Sequence, residues 1–379
     1  MASMLERFQA DLAGLAARDR LRSLAPRLGL DFASNDYLGL AESRELAAAA
    51  AAALARGAPV GAGGSRLLRG NHPEHEALEA EAARFFRAES ALFFGAGFSA
   101  NEALLSTLPQ REDLIFHDAL VHASAHDGMR LSRAPRASFP HNDIDVLDSA
   151  LAAWRRTGGA GRAWIVVESL YSMDGDMAPL DDLMRAAERH DAFLLVDEAH
   201  ATGVLGAGGR GLAARFEGRE NVVTVHTCGK ALGVSGALVC LARPLRDFLV
   251  NRCRNFIFAT APSPLVAACV RAALAICETA DDRRAALQSR VSLAGEKLQA
   301  LCGVAPSGTQ VQPVVVGTDA RAMALAAAMQ ARGYDIRAIR PPTVPEGTAR
   351  LRLSLTLNVD EAHIARMIGD LSQELGAIA

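Results

Sequence analysis

Lys230 and Asp197 are the two residues whose chemistry the rest of the chain must account for. Lys230 lies within TVHTCGKALGVSGALV (224–239), between the apolar, β-branched run Val222, Val223, Val225 and a second apolar run from Ala237 to Leu241. The pattern reads as strand, glycine-bearing turn, strand. An ammonium held between buried strands is costly to desolvate unless it is paired or chemically used. Desolvation lowers a lysine's pKa, and the neutral amine forms Schiff bases. From this window alone, a surface lysine in a hairpin turn is the simpler reading. Asp197 changes that. It closes the apolar run Phe193 to Val196, one strand before the lysine. By itself it would be a helix cap or half of a salt bridge. An acid that keeps a pyridinium charged, followed by a lysine that forms an imine, is what pyridoxal phosphate requires of a protein.

Such a cofactor also needs a cup for its phosphate. GAGFSANEALL (95–105) reads as strand, glycine turn and helix, which points backbone N–H groups at an anion near Gly97 and Phe98. The Thr227 hydroxyl, three residues before the lysine, would add a donor. A second glycine cluster, GAGGS (61–65), precedes a loop instead of following a strand and is not dinucleotide-binding. DEAH (197–200) invites comparison with nucleotide-driven motors, which also need GxxxxGK[ST] upstream. The only GK is Gly229-Lys230, downstream, and Ala231 stands where a hydroxyl would hold magnesium. His72 and His75 have a spacing that suits a metal, but no third ligand accompanies them, so no metal is expected and a solvated helix N-terminus is the better reading. His122, His141 and His200 fall in loops after strands, whereas His190 and His363 read as helix-surface residues.

These residues need a scaffold. The runs ALFFGAG, DLIFHD, AWIVVES, AFLLVDEAH, NVVTVHT and ALVCLA are continuously apolar, without alternation. Strands of that kind are buried on both faces, which implies an α/β fold with a mostly parallel sheet between helices. Ligands of such sheets bind at the carboxyl ends of the strands, and the informative polar residues sit there. ARLRLSLTLN (349–358) alternates strictly, with Arg350, Arg352, Ser354 and Thr356 on one face and leucines on the other. The expected division is an N-terminal helix and connector (1–40), a large domain (41–280) and a smaller C-terminal α/β domain (281–379), with DDRR (281–284) at the boundary.

With 379 residues the chain has ample length for a core. A net charge of −3 leaves no footprint for nucleic acid or a membrane surface. Six scattered cysteines without a CxxC pair suit a reducing compartment. The N-terminus has apolar positions at helical spacing instead of a signal peptide's apolar core, and the alanine-rich run 46–54 is too short to span a bilayer. The protein is expected to be soluble and cytoplasmic.

Taken together, SNDYLGL (34–40), GGSRLLRGNHPEHEALE (63–79), GFSAN (97–101), HAS (122–124), HND (141–143), ESLYSMDGDMAPL (168–180), VDEAHATGVLG (196–206), TCGKALGVSGA (227–237) and RPPTVPEGTARLRLSLT (340–356) resemble the α-oxoamine synthases. These are pyridoxal-phosphate enzymes of the aminotransferase-like fold (fold type I), and the pieces cover nearly the whole length in order. The resemblance implies a homodimer with shared active sites. It favours members that condense L-alanine with a pimeloyl thioester, pimeloyl-CoA or pimeloyl-ACP, in biotin biosynthesis. It implies that Lys230 holds the cofactor, Asp197 pairs with the ring nitrogen, and His200 and Ser172 bond near the ring oxygen. His122 would stack on the ring with Ala199 behind it. Gly97, Phe98 and Thr227 would hold the phosphate, with Thr260 from a second subunit. Arg352 would take the amino-acid carboxylate, Arg22 and Thr343 would lie near the substrate, and Asn35 and Glu168 would order the surroundings. Two rivals stand beside this reading: a sibling synthase using another amino acid or acyl chain, and a non-catalytic partner subunit. The intact Lys230, Asp197 and His122 speak against the latter.

Overall fold

The computed structural model describes residues 4–377. The chain forms two compact units. One comprises Leu38–Ser172 and Met177–Arg284; the other comprises the residues up to Tyr37, the insert Met173–Asp176 and the chain from Ala285 onward.

The first strand, β1 (Leu30–Asp31), belongs to the smaller unit. Seven strands of the larger unit follow: β2 (Ser90–Phe94), β3 (Leu114–Asp118), β4 (Arg136–Phe139), β5 (Ala163–Glu168), β6 (Ala192–Asp197), β7 (Val222–Thr227) and β8 (Ala237–Leu241). They form one sheet in the order β2-β8-β7-β6-β5-β3-β4. All neighbours from β7 to β4 are parallel, and β8 runs antiparallel to both β7 and β2. The unalternating apolar runs are explained by two cores, one on each face. Trp164, Val166 and Leu195 pack with the helices Gly97–Thr107 and Ala123–Leu131. Ile165, Val167, Leu194 and Val196 pack with the helices Ile144–Arg156 and Leu180–Arg189. β4 has no counterpart among the expected strands: RASF is polar and largely exposed at the sheet edge, so it carries no hydrophobic signal.

The smaller unit holds a three-stranded antiparallel sheet, β9 (Val311–Gly317), β11 (Ala338–Ile339) and β12 (Ala349–Ser354), in the order β11-β12-β9. β10 (Tyr334–Asp335) pairs in parallel with β1. The helices Asp319–Ala331 and Glu361–Ala377 each bury one apolar stripe, through Leu325 and Met329 and through Ile364 and Ile368. DDRR opens the 22-residue helix Asp281–Cys302, and the division between the two units falls after Arg284. The alternation of ARLRLSLTLN does not produce a solvated polar face. Arg350 and Arg352 are buried with their leucine neighbours, and the strand ends at Ser354, short of Thr356.

His72 and His75 stand at a helix N-terminus, as their spacing suggested, though His75 is turned inward. His72 caps the helix Pro73–Phe85 by accepting from the Glu74 N–H. His75 alone is fully buried, with Nε2 2.7 Å from the Pro262 carbonyl oxygen, while Asn71, Pro73 and Glu76 around it are exposed. Among the described residues no cluster of His, Cys, Asp or Glu would hold a metal.

The loop-to-helix region around these histidines is anchored by a buried ion pair. Arg66 donates to both Glu79 oxygens, at 2.7 and 3.0 Å, and Glu79 also accepts from the Phe93 N–H at 2.9 Å. Removing one partner of a buried pair leaves the other charge uncompensated. Glu79→Ala is therefore expected to destabilise the protein by about 3–5 kcal/mol, read from its chemical-denaturation midpoint. A loss under about 1 kcal/mol would mean that water reaches Arg66.

Candidate active site

The carboxyl ends of the parallel strands gather the polar residues of the larger unit. Asp197 ends β6, Glu168 ends β5 directly opposite it in register, and Thr227 ends β7. Lys230, half-buried, lies in the turn between β7 and β8. Backbone bonds close this turn: Cys228 N–H to Gly236 O at 2.8 Å, Gly233 N–H to Lys230 O at 2.8 Å and Val234 N–H to Cys228 O at 2.9 Å. Two of its glycines are obligatory. Gly236 has φ +104°, and a Cβ there would lie 2.5 Å from the Phe93 ring; Gly233 has φ +65°, and its Cβ would meet the Ala41 nitrogen at 2.5 Å.

Asp197 is held from two sides. Asn101 donates to Oδ2 at 2.6 Å and the Ala199 N–H to Oδ1 at 2.9 Å. The same Asn101 amide reaches the Ser124 hydroxyl at 3.0 Å. Asn101 was absent from the residues assigned a role, although it lies in the GFSAN motif. It sits four positions after Gly97, one helical turn on and on the same face, which is the signal that points to it. Glu198, the second acid of DEAH, is buried and accepts from the Ser169 hydroxyl and the N–H groups of Leu212 and Ala213, so it anchors the loop 206–213.

Gly97 begins its helix after Ala96, which offers no side-chain cap, so the first N–H groups of the helix are left for another acceptor. A Cβ on Gly97 would lie 3.4 Å from the Thr227 hydroxyl oxygen, which marks a narrow cradle between them. Phe98 meets His122 edge-on at 6.2 Å between ring centroids. His122 caps the helix Ala123–Leu131 through Nδ1, 3.2 Å from the Ser124 N–H and 2.7 Å from its hydroxyl. Loss of solvent around the ring lowers its pKa; Asp197 opposes this and Lys230 reinforces it. His200 and Ser172 are buried, and Ala199 is half-buried. Thr260 stands apart: it is exposed beyond the helix Arg254–Ile257, and no bond joins it to Gly97 or Thr227 among the described residues.

The remaining candidates lie in the smaller unit. Arg352, 7 % exposed, donates to the Ser354 hydroxyl at 2.9 Å, the Asn35 side-chain oxygen at 3.0 Å and the Tyr37 hydroxyl at 3.3 Å. Tyr37 in turn donates to Asn35 at 3.0 Å. Arg22 and Thr343 are exposed and joined by a 3.4 Å bond. Arg350, next but one to Arg352, pairs with Asp174.

The larger unit's residues fit a pyridoxal phosphate. An uncapped helix start and a threonine hydroxyl suit its phosphate, and a braced carboxylate suits its ring nitrogen. Two buried oxygens beside Asp197, Glu168 Oε1 and Asn101 Oδ1, have no hydrogen-bond partner among the described residues. The profile of the aminotransferase class I and II family matches residues 28–371. The 8-amino-7-oxononanoate synthase of Azoarcus sp. (strain BH72) is 42 % identical over 392 residues, covering 98 % of both chains.

The chain belongs to the class I and II aminotransferases, and among them to the α-oxoamine synthases.

Solved members of the family superpose along most of the chain. The S. paucimobilis serine palmitoyltransferase with a bound PLP–myriocin aldimine has a TM-score of 0.89 at 26 % identity, covering 99 % of each chain. The Francisella tularensis 8-amino-7-oxononanoate synthase has a TM-score of 0.78 at 29 % identity, covering 92 % of this chain and 98 % of that one. The family's mostly parallel α/β fold is the one described above, and its cofactor is pyridoxal 5′-phosphate.

Proposed function

We propose that the chain is an 8-amino-7-oxononanoate synthase, condensing L-alanine with a pimeloyl thioester. A carbon–carbon bond forms between the alanine Cα and the thioester carbonyl carbon, the thiol leaves, and the alanine carboxylate departs as carbon dioxide. The observation that carries the reading is the braced Asp197 beside Lys230 and an uncapped helix start, in a chain 42 % identical to a named synthase over its whole length. Bound pyridoxal phosphate supplies the electron sink into which the Cα–H and carboxylate bonding electrons are delocalised.

The protein's own residues do the rest. Asp197, fixed by Asn101 and Ala199, keeps a proton on the ring nitrogen. The N-terminal N–H groups of the Gly97–Thr107 helix and the Thr227 hydroxyl hold the phosphate. His122 would stack on the ring with Ala199 behind it, and Ser172 and His200 would bond near its oxygen. Lys230 would hold the cofactor, and its free amine would remove and return the proton at the substrate Cα. Arg352, oriented by Asn35, Tyr37 and Ser354, would take the alanine carboxylate, and Arg22 and Thr343 would lie near the substrate. Coenzyme A and an acyl-carrier protein are the two carriers compatible with this chemistry. Exposed apolar residues on two segments tied by an Ala261–Gly64 backbone bond (Leu68 at 84 % and Phe258 at 70 %) support a homodimer formed on that face, with Thr260 given to the partner's phosphate site. The reading carries a cytoplasmic location, which six unpaired cysteines suit; among the described residues no helix is long and apolar enough to cross a membrane.

Product mass spectrometry with a panel of amino acids and acyl thioesters tests the reading. 8-Amino-7-oxononanoate from alanine and a pimeloyl thioester is the expected result, and preference for glycine or serine would make the chain a sibling synthase. Arg352 supplies a finer test. A planar guanidinium makes two parallel bonds to a carboxylate that a lysine's point charge cannot reproduce. Arg352→Lys is expected to weaken alanine binding by about tenfold or more, ~1.4 kcal/mol, followed by the cofactor absorbance change on adding alanine. Unchanged affinity with a large fall in melting temperature would make Arg352 a structural residue.

A further inference from the structure

Three carboxyl groups stand at the ends of three strands in the sheet: Asp118 on β3, Glu168 on β5 and Asp197 on β6, with β5 between the other two. Their surroundings differ. Asp118 is fully buried and accepts from the N–H groups of Leu120 and Asn142, both at 2.8 Å, and from the His141 ring at 2.9 Å. Burial works to raise its pKa, and these bonds overcome it, so Asp118 stays ionised. Asp197 has two donors, Asn101 and Ala199. Glu168 is 3 % exposed; among the described residues it accepts only the Ser172 N–H, at 3.2 Å on Oε2, and its buried Oε1 has no hydrogen-bond partner.

Two carboxylates facing each other across paired strands do not both ionise cheaply, and the proton goes to the one with fewer donors. That one is Glu168. Burial first, and then the Asp197 charge, push its pKa well above the ordinary carboxylate range; Asp118 adds to this and Lys230 opposes it. A carboxyl O–H in such a place needs an acceptor, and the described residues supply none at Oε1.

We propose that Glu168 is kept as a neutral carboxylic acid and donates its O–H to the phenolic oxygen of the bound pyridoxal ring. Asp197 would then hold charge at one ring position while Glu168 gives a hydrogen bond at another, two acids divided between two roles by their donors. The inference rests on the pyridoxal-phosphate reading of the site and adds the protonation state and contact of one residue.

The test compares Glu168→Gln, which keeps an N–H donor, with Glu168→Ala, which has none. In absorbance titrations of the cofactor-free protein with pyridoxal phosphate, the glutamine variant should bind within about threefold of the parent. The alanine variant should bind about tenfold or more weakly. Infrared difference spectra of the loaded parent at neutral pH should show the carbonyl stretch of a protonated carboxyl group that disappears in Glu168→Gln. Equal losses in both variants, or no such band, would mean that Glu168 is an ionised acceptor and overturn the proposal. Unchanged affinity in Glu168→Ala would overturn it too, since water would then occupy the position beside Oε1. The glutamine and infrared results stand even if the alanine variant fails to fold. A parent that binds no cofactor at Lys230 would take the functional reading down as well, whereas a parent that binds normally with indifferent variants would remove only the Glu168 assignment.

Discussion

Borohydride reduction of the protein loaded with pyridoxal phosphate is expected to leave the pyridoxyl group on Lys230. The chain has only two lysines, Lys230 and Lys297, so peptide mapping gives an unambiguous answer. Lys297 lies on the helix Asp281–Cys302 of the smaller unit, away in sequence from every residue of the cradle. Lys230→Ala should fold, because the turn's shape rests on backbone bonds among Cys228, Lys230, Gly233, Val234 and Gly236. It should take up no covalent cofactor and lose turnover by about a thousandfold or more, since covalent attachment and proton transfer disappear together. An adduct on Lys297 or on the N-terminal amine would sink the assignment.

Asp197→Asn is expected to slow turnover by at least about a hundredfold, ~3 kcal/mol. The substitution removes the negative charge and sets a second amide against Asn101, which now donates to Asp197 at 2.6 Å. Cofactor affinity should fall much less, because Gly97 and Thr227 lie on other elements and are untouched. Rates measured with saturating cofactor separate the two effects. A near-normal rate would mean that the acid only caps the loop through the Ala199 N–H.

Much of the larger unit was legible because its signals are local. Strands buried on both faces need unbroken apolar runs, and ALFF, LIF, AWIVV, FLLV and VVTV are such runs whatever surrounds them. Lys230 and Asp197 stood out for a related reason: Asp197 ends an apolar strand and Lys230 lies between two of them, where desolvation of a charge is costly. β4 gave no comparable signal, since an edge strand has only one neighbour to bury it.

The alternating stretch at 349–358 shows what a local pattern leaves undecided. Alternation separates two faces but does not say what covers them. Arg350 is covered by a segment carrying Asp174, and Arg352 by Asn35 and Tyr37, all distant in sequence. His75 is buried by the same kind of remote contact, at Pro262. The division of labour among the acids was likewise decided only in three dimensions. As residues in a sequence, Asp118, Glu168 and Asp197 are three carboxyl groups after three strands. Hydrogen bonds act only at contact and charge–charge interactions weaken with distance, so which acid keeps its proton depends on the groups that folding brings within reach. Asn101 reaches Asp197 from 96 residues away, while Glu168 gains only the Ser172 N–H among the described residues.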